Sequence, residues 1–177
     1  MRGYAVVKLL IISATNRTNS ASLTVSKHLH ELYSTAMECR TYSLCDMPHD
    51  LLKNNFYNHR HPEILKVVDE IKSVDALLFV LPEYHGSYPG IAKLFLDLMP
   101  SATFKNKKVA LVGISDGHVG NLRGIDHFTG VMNYLRAHVI PLAPKISYVN
   151  RMINDSSFVP DERAKNLFTE LFTELTG

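Results

Sequence analysis

One feature constrains the fold of this chain more than any other. Short, nearly pure apolar runs alternate with stretches whose apolar residues recur at helical spacing. Val6–Ser13 (VVKLLIIS), Ala76–Leu81 (ALLFVL) and Lys108–Ser115 (KVALVGIS) are the clearest runs. Each is short and lacks the polar–apolar alternation of a half-exposed strand, so each reads as a strand buried on both faces. Cys39–Leu44 is a weaker strand, and Val139–Val149 an interrupted one. Between them the spacing predicts helices. The first spans Ser20–Ala36, on Leu23, Val25, Leu29, Leu32 and Tyr33. The second opens at Pro62, on Ile64, Leu65, Val68 and Ile71. A third ends near Met99, a fourth covers Leu122–Ala137, and the last runs Asp161–Leu175, capped by Asp161.

Five alternations of strand and helix call for a parallel sheet covered by helices on both faces. With 177 residues and no linker or repeat, the expectation is one three-layer α/β domain over residues 1–177. In open sheets of this kind ligands bind beyond the carboxyl ends of the strands, at the switch point of the strand order.

Charge and composition exclude several function classes. The net charge is +2, without a basic stripe interleaved with aromatics, so nucleic acid is not an expected partner. A nearly neutral, slightly basic surface does not repel an anionic cofactor. No run approaches the ~18 apolar residues of a membrane span. The apolar stretch after Arg2 is interrupted by Lys8 and reads as a strand rather than a leader. Cys39 and Cys45 are too few and wrongly spaced for a disulfide framework or a CxxC pair, which fits reduced thiols in the cytoplasm. The polar stretch Asp46–His61 carries His49, His59 and His61 with Asp46 and Asp50, but in no metal-ligand spacing, so no metal is expected. Its length suits a functional loop.

Three polar loops follow buried strands, so all three open on one edge of the sheet. The first runs from Ala14 to Ser22 and leads into a helix N-terminus, where free backbone N–H groups and the helix dipole favour anions. Thr15, Thr18, Asn19, Ser20 and Ser22 add hydroxyl and amide donors, and Arg17 adds a guanidinium with fork geometry for phosphate oxygens. The glycines of a P-loop are absent, which suits a terminal monophosphate held by hydroxyls. Alternatively this is a polar turn with Ser20 as N-cap. The second loop, Pro82-Glu83-Tyr84-His85-Gly86-Ser87-Tyr88-Pro89-Gly90, offers aromatics and stiff turns against which a flat heteroaromatic ring can rest. In the third, Ser115–Asn121, Gly117 and Gly120 let backbone approach a ligand.

The pairing of Thr15-x-Arg17-x-x-Ser20-x-Ser22 with Pro82–Gly90 resembles the NADPH-dependent FMN reductase family, which includes flavodoxin-like quinone, azo-dye and chromate reductases. The resemblance implies a flavodoxin-like sandwich with a five-stranded parallel sheet of order 2-1-3-4-5. It implies FMN as cofactor and NADPH or NADH as electron donor, with a small-molecule electron acceptor. Thr15, Arg17, Asn19, Ser20 and Ser22 would then hold the FMN phosphate. Pro82, Glu83, Tyr84, His85, Gly86 and Ser87 would line the ring, and Ser115, Gly117 and Gly120 would close the other side. Ala14-Thr15 stands where Gly-Ser is common in that family, His85 where Asn is usual, and Asn121 where glycine is frequent. His85 is a candidate donor at the ring edge. The resemblance and the long loop together imply a homodimer or homotetramer, with Asp46–His61 near a neighbouring flavin.

Three rival readings are weaker. Gly113-Ile114-Ser115-Asp116-Gly117 matches a G-x-S-x-G nucleophile elbow at a strand end. However, after Ser115 the only acidic residues ahead of the last histidine, His138, are Asp116, which directly follows the serine, and Asp126, which directly precedes His127. An electron-carrier flavodoxin would be strongly acidic. A scaffold that had lost FMN would not need so polar a phosphate loop.

Overall fold

The computed structural model describes residues 6–48, 51 and 61–177. Most of the Asp46–His61 loop, including His49, Asp50 and His59, lies outside the described residues.

The three apolar runs form the middle of one parallel sheet. β1 (Lys8–Ser13) pairs with β2 (Glu38–Ser43) on one side. On the other side it pairs with β3 (Ala76–Pro82), with Leu10 opposite Leu77. β3 continues to β4 (Lys108–Ile114), Leu77 opposite Val109. The order is β2-β1-β3-β4-β5, which is the flavodoxin-like arrangement expected from the resemblance.

Strand alternation divides the core in two. Leu10, Ile12, Phe79 and Leu111 point to a face covered by α2 (Pro62–Ser73), α3 (Gly90–Leu98) and α4 (Leu122–Tyr134). Leu9, Ile11, Leu78, Val80 and Val112 point to the other, covered by α1 (Ala21–Tyr33) and α5 (Glu162–Thr176). Successive Cβ atoms leave opposite sides of a strand, so an unbroken apolar run feeds both cores at once.

The fifth position of the sheet is split. β5 (His138–Val139) and β6 (Lys145–Ile146) both pair with β4, at its two ends. Pro141 and Pro144 lie between them, and a residue without an N–H cannot keep a ladder going. The chain nevertheless stays alongside. Ile140 N–H donates to Val109 O at 2.8 Å and Gly113 N–H to Pro144 O at 2.9 Å. A small hairpin, β7 (Ile153–Asn154) with β8 (Ser157–Phe158), was not expected from sequence. Its turn places Asp155 and Ser156 at φ +45° and +67°.

α1 and α5 are tied by a buried bond: Tyr33 Oη donates to Phe168 O at 2.8 Å. Burial pushes the Tyr33 phenol well above its ordinary range, with Cys39 nearby adding to the shift. A group whose folded pKa is raised contributes stability that is complete below its unfolded pKa, about 10 for tyrosine, and lost as pH rises beyond it. Tyr33→Phe is therefore expected to cost about 0.5–1.5 kcal/mol at pH 7 and to flatten the decline of stability above pH ~10. Thermal melts from pH 7 to 11 check both. A variant melting like wild type at every pH would show that the bond contributes nothing net.

Candidate functional site

The loops after β1, β3 and β4 meet at the carboxyl edge of the sheet. Ala14 N–H donates to Val80 O and Glu83 N–H to Ile114 O, both at 3.0 Å, so each loop leaves its strand held by the next. A side-chain bond then joins the first two loops: Thr15 Oγ1 and Tyr84 Oη lie 2.7 Å apart.

The first loop separates into a buried frame and an exposed rim. Thr15 and Ser22 are buried. Thr15 Oγ1 also accepts from Arg17 N–H at 3.3 Å. Ser13 Oγ donates to Ser22 Oγ at 3.1 Å, and Ser22 Oγ lies 3.1 Å from Ser20 Oγ. This row of hydroxyls ends at the α1 N-cap, where Ser20 Oγ accepts from Leu23 N–H at 3.2 Å. Thr24 N–H donates to Ser20 O. That leaves the N–H groups of Ala21 and Ser22, which belong to the donors that no helix can satisfy internally. Asn16, Arg17, Thr18 and Asn19 are exposed around them. Asn19 takes φ +50°, a left-handed conformation that Asn tolerates.

The second loop closes on itself. Tyr84 N–H donates to Ser87 O at 2.8 Å and Ser87 N–H to Tyr84 O at 3.1 Å. The central residues His85 and Gly86 sit at φ +50° and +74°, the two left-handed positions of a type I′ turn. His85 thus takes a backbone conformation that Gly, Asn and Asp adopt most readily. His85 is exposed at the tip. Ser87 Oγ lies 2.9 Å from His127 Nδ1 on α4, a partner that nothing in the linear sequence announced.

In the third loop the polar side chains bond to the loop itself and to its neighbours. Ser115 is buried, and its Oγ donates to Gly117 O and accepts from Gly120 N–H, both at 3.0 Å. Its hydroxyl is spent inside the loop, and no histidine is among these partners, so the nucleophile-elbow reading loses its base. Gly120 packs on the backbone of Lys145 and Ile146; its lack of a side chain serves contact with β6. Gly117 is exposed, and a Cβ added there would meet only Ser115 Oγ, at 3.9 Å. Asn121, which follows, is fully buried at φ +62°, and its Nδ2 donates to Leu81 O at 2.9 Å.

Residues 7–149 match the family described as NADPH-dependent FMN reductase. The chain belongs to that family. It is 27% identical to an NADPH azoreductase of Bacillus sp. (strain OY1-2) over 96% of this chain and 90% of that one. It is 29% identical to an FMN-dependent NADPH-azoreductase of Staphylococcus aureus over 76% and 74% of the two chains. Among solved structures it resembles FerB, a flavoenzyme NAD(P)H:(acceptor) oxidoreductase from Paracoccus denitrificans. There the TM-score is 0.78 at 20% identity, covering 97% and 96% of the chains.

As an FMN reductase family member the chain is an NAD(P)H-dependent FMN oxidoreductase, as the motifs implied. The donor set of the first loop fits that cofactor. An exposed guanidinium, a hydroxyl row and two unsatisfied helix N–H groups are the chemistry a phosphate dianion needs. Among the described residues there is no group of three or more His, Cys, Asp or Glu side chains placed to hold a metal ion. No helix there is long and apolar enough to cross a membrane.

Proposed function

We propose that this chain uses FMN to pass electrons from NAD(P)H to free flavin, quinones or similar small acceptors, azo compounds among them. The observation that carries this reading is the Thr15–Tyr84 bond, which makes the hydroxyl-rich loop and the type I′ turn two walls of one crevice. The azo acceptor is suggested by the names of the two relatives.

Arg17, Asn19 and Ser20 would meet the phosphate, backed by Thr15 and Ser22. The turn Pro82–Ser87 would flank the ring, and the backbone of Ser115, Gly117 and Gly120 would close the far side. When bound, FMN would supply the redox chemistry, hydride transfer from the nicotinamide and electron transfer to the acceptor. The chain's own residues bind, orient and set the environment. His85 would donate a hydrogen bond at the ring edge, which favours the reduced, anionic flavin. We place the activity in the cytoplasm, in one FMN-binding domain over residues 1–177 that works as a homodimer or homotetramer. A one-electron carrier is disfavoured by the net charge of +2, because such carriers dock through acidic surfaces.

Flavin titration followed by fluorescence quenching should give tighter binding of FMN than FAD, since the loop is shaped for a terminal phosphate. Steady-state assays should show NADPH or NADH oxidation with a quinone, an azo dye or free flavin, slower in His85→Asn. That variant should fold as well as wild type, because Asn suits φ +50°. FMN binding without hydride transfer from either nucleotide would leave the carrier reading in place.

A further inference from the structure

A groove of about 470 Å³ lies outside the crevice just described. It opens between the third loop, β6 and the start of α5. Its walls carry His118, Lys145, Arg151 and Arg163 beside Tyr148, with Asp161 the one carboxylate. Asp161 is already engaged: its Oδ1 accepts from Ala164 N–H at 2.8 Å as the cap of α5. Three lysine or arginine charges thus face one committed carboxylate, in a chain whose net charge is only +2.

The groove is also ordered. The Arg151 guanidinium lies 4.5 Å from the centre of the Tyr148 ring, which holds it in a cation–π contact. Tyr148 N–H donates to Gly117 O at 3.1 Å, and Ser147 Oγ donates to His118 O at 2.7 Å. The third loop is therefore the shared wall between groove and crevice. β6 lies two strand positions from β3, or about 10 Å across the sheet from the ring-bearing turn. A ligand with a flat ring in the crevice and phosphates further along would run over Gly117 into this groove.

We propose that the groove of Lys145, Arg151 and Arg163 binds the adenosine 2′-phosphate end of NADPH and sets a preference for NADPH over NADH. The proposal deepens the oxidoreductase reading and rests on it. Guanidinium groups match phosphate oxygens in a planar fork, and the exposed Tyr148–Arg151 pair offers a flat surface for adenine. Arg151 and Arg163 are exposed on the surface, so their replacement should leave the fold intact, which helix content by circular dichroism verifies.

The test is calorimetric titration of the FMN-loaded protein with 2′,5′-ADP and 5′-ADP, in wild type and Arg151→Gln/Arg163→Gln. Wild type is expected to bind 2′,5′-ADP at least tenfold more tightly than 5′-ADP. The double variant should lose roughly ten- to a hundredfold for 2′,5′-ADP alone. In turnover, the ratio of KM for NADPH to KM for NADH should rise by the same order. Equal binding of the two nucleotides by wild type, or unchanged 2′,5′-ADP binding in the variant, would overturn the groove as the 2′-phosphate site. Loss of the oxidoreductase reading looks different: neither nucleotide is oxidised, while 2′,5′-ADP binding still depends on Arg151 and Arg163. NADPH oxidation with an unmoved KM ratio would sink the groove alone.

Discussion

Arg17→Ala is expected to weaken FMN binding roughly ten- to a hundredfold while leaving riboflavin binding nearly unchanged. Riboflavin lacks the phosphate, so the difference between the two flavins isolates that contact. A charge-assisted bond is worth about 1.5–3 kcal/mol, the range behind the fold-change. The side chain is exposed at the rim of the first loop and makes no hydrogen bond or ion pair among the described residues. Removing it should therefore not disturb the hydroxyl row of Ser13, Ser22 and Ser20 beneath. Arg17→Lys should fall between wild type and Ala, since it keeps the charge and loses the fork. Fluorescence titration with both flavins decides it. Equal losses for FMN and riboflavin would make Arg17 a structural residue.

Gly120→Ala is expected to damage the fold severely. Gly120 sits at φ +58°, where a side chain costs about 1–2 kcal/mol. The added Cβ would lie 2.7 Å from the Lys145 carbonyl carbon and 2.8 Å from Ile146 N. Both are backbone atoms of β6 and cannot rotate away, so β6 would have to shift from its place beside Gly113 and Ile114. Together these effects should cost about 3 kcal/mol or more, lowering Tm by roughly 6–12 °C in a domain of this size. Gly90→Ala is the matched control. No atom lies within 4 Å of its added Cβ, so it should be neutral or stabilising by up to about 1 kcal/mol. Thermal melts that shift equally would show that the contact with β6 is not what requires glycine at 120. The same displacement would move Lys145 and so alter the basic groove, which ties the stability of the third loop to nucleotide binding.

Much of the site was legible because its parts are local. Ser20 as an N-cap, hydroxyls before a helix and a Pro/Gly turn after a strand are short-range signals. Their convergence follows from topology, since loops after parallel strands share an edge. What each side chain does there was less legible. Ser115 read as a ligand-facing or nucleophilic hydroxyl, yet it holds its own loop together. Gly120 read as room for a ligand; the structure adds that its missing side chain makes room for β6. Ser87 and His127 are 40 residues apart, and no spacing rule links them. The Arg151–Tyr148 pair was silent because neither residue lies in a motif.

The sequence by itself determined the layer order, the three central strands, the two-sided core and the edge at which the three polar loops converge. Hydrophobic periodicity encodes those directly, for a run that is apolar at every position has to be buried on both faces. Only the tertiary structure decided which polar groups are spent on one another and which are left for a ligand. Thr15 with Tyr84, Ser87 with His127 and Asn121 with Leu81 are pairings across distant segments. A hydrogen bond depends on distance and angle to within fractions of an ångström, and those are fixed only when separate elements have packed.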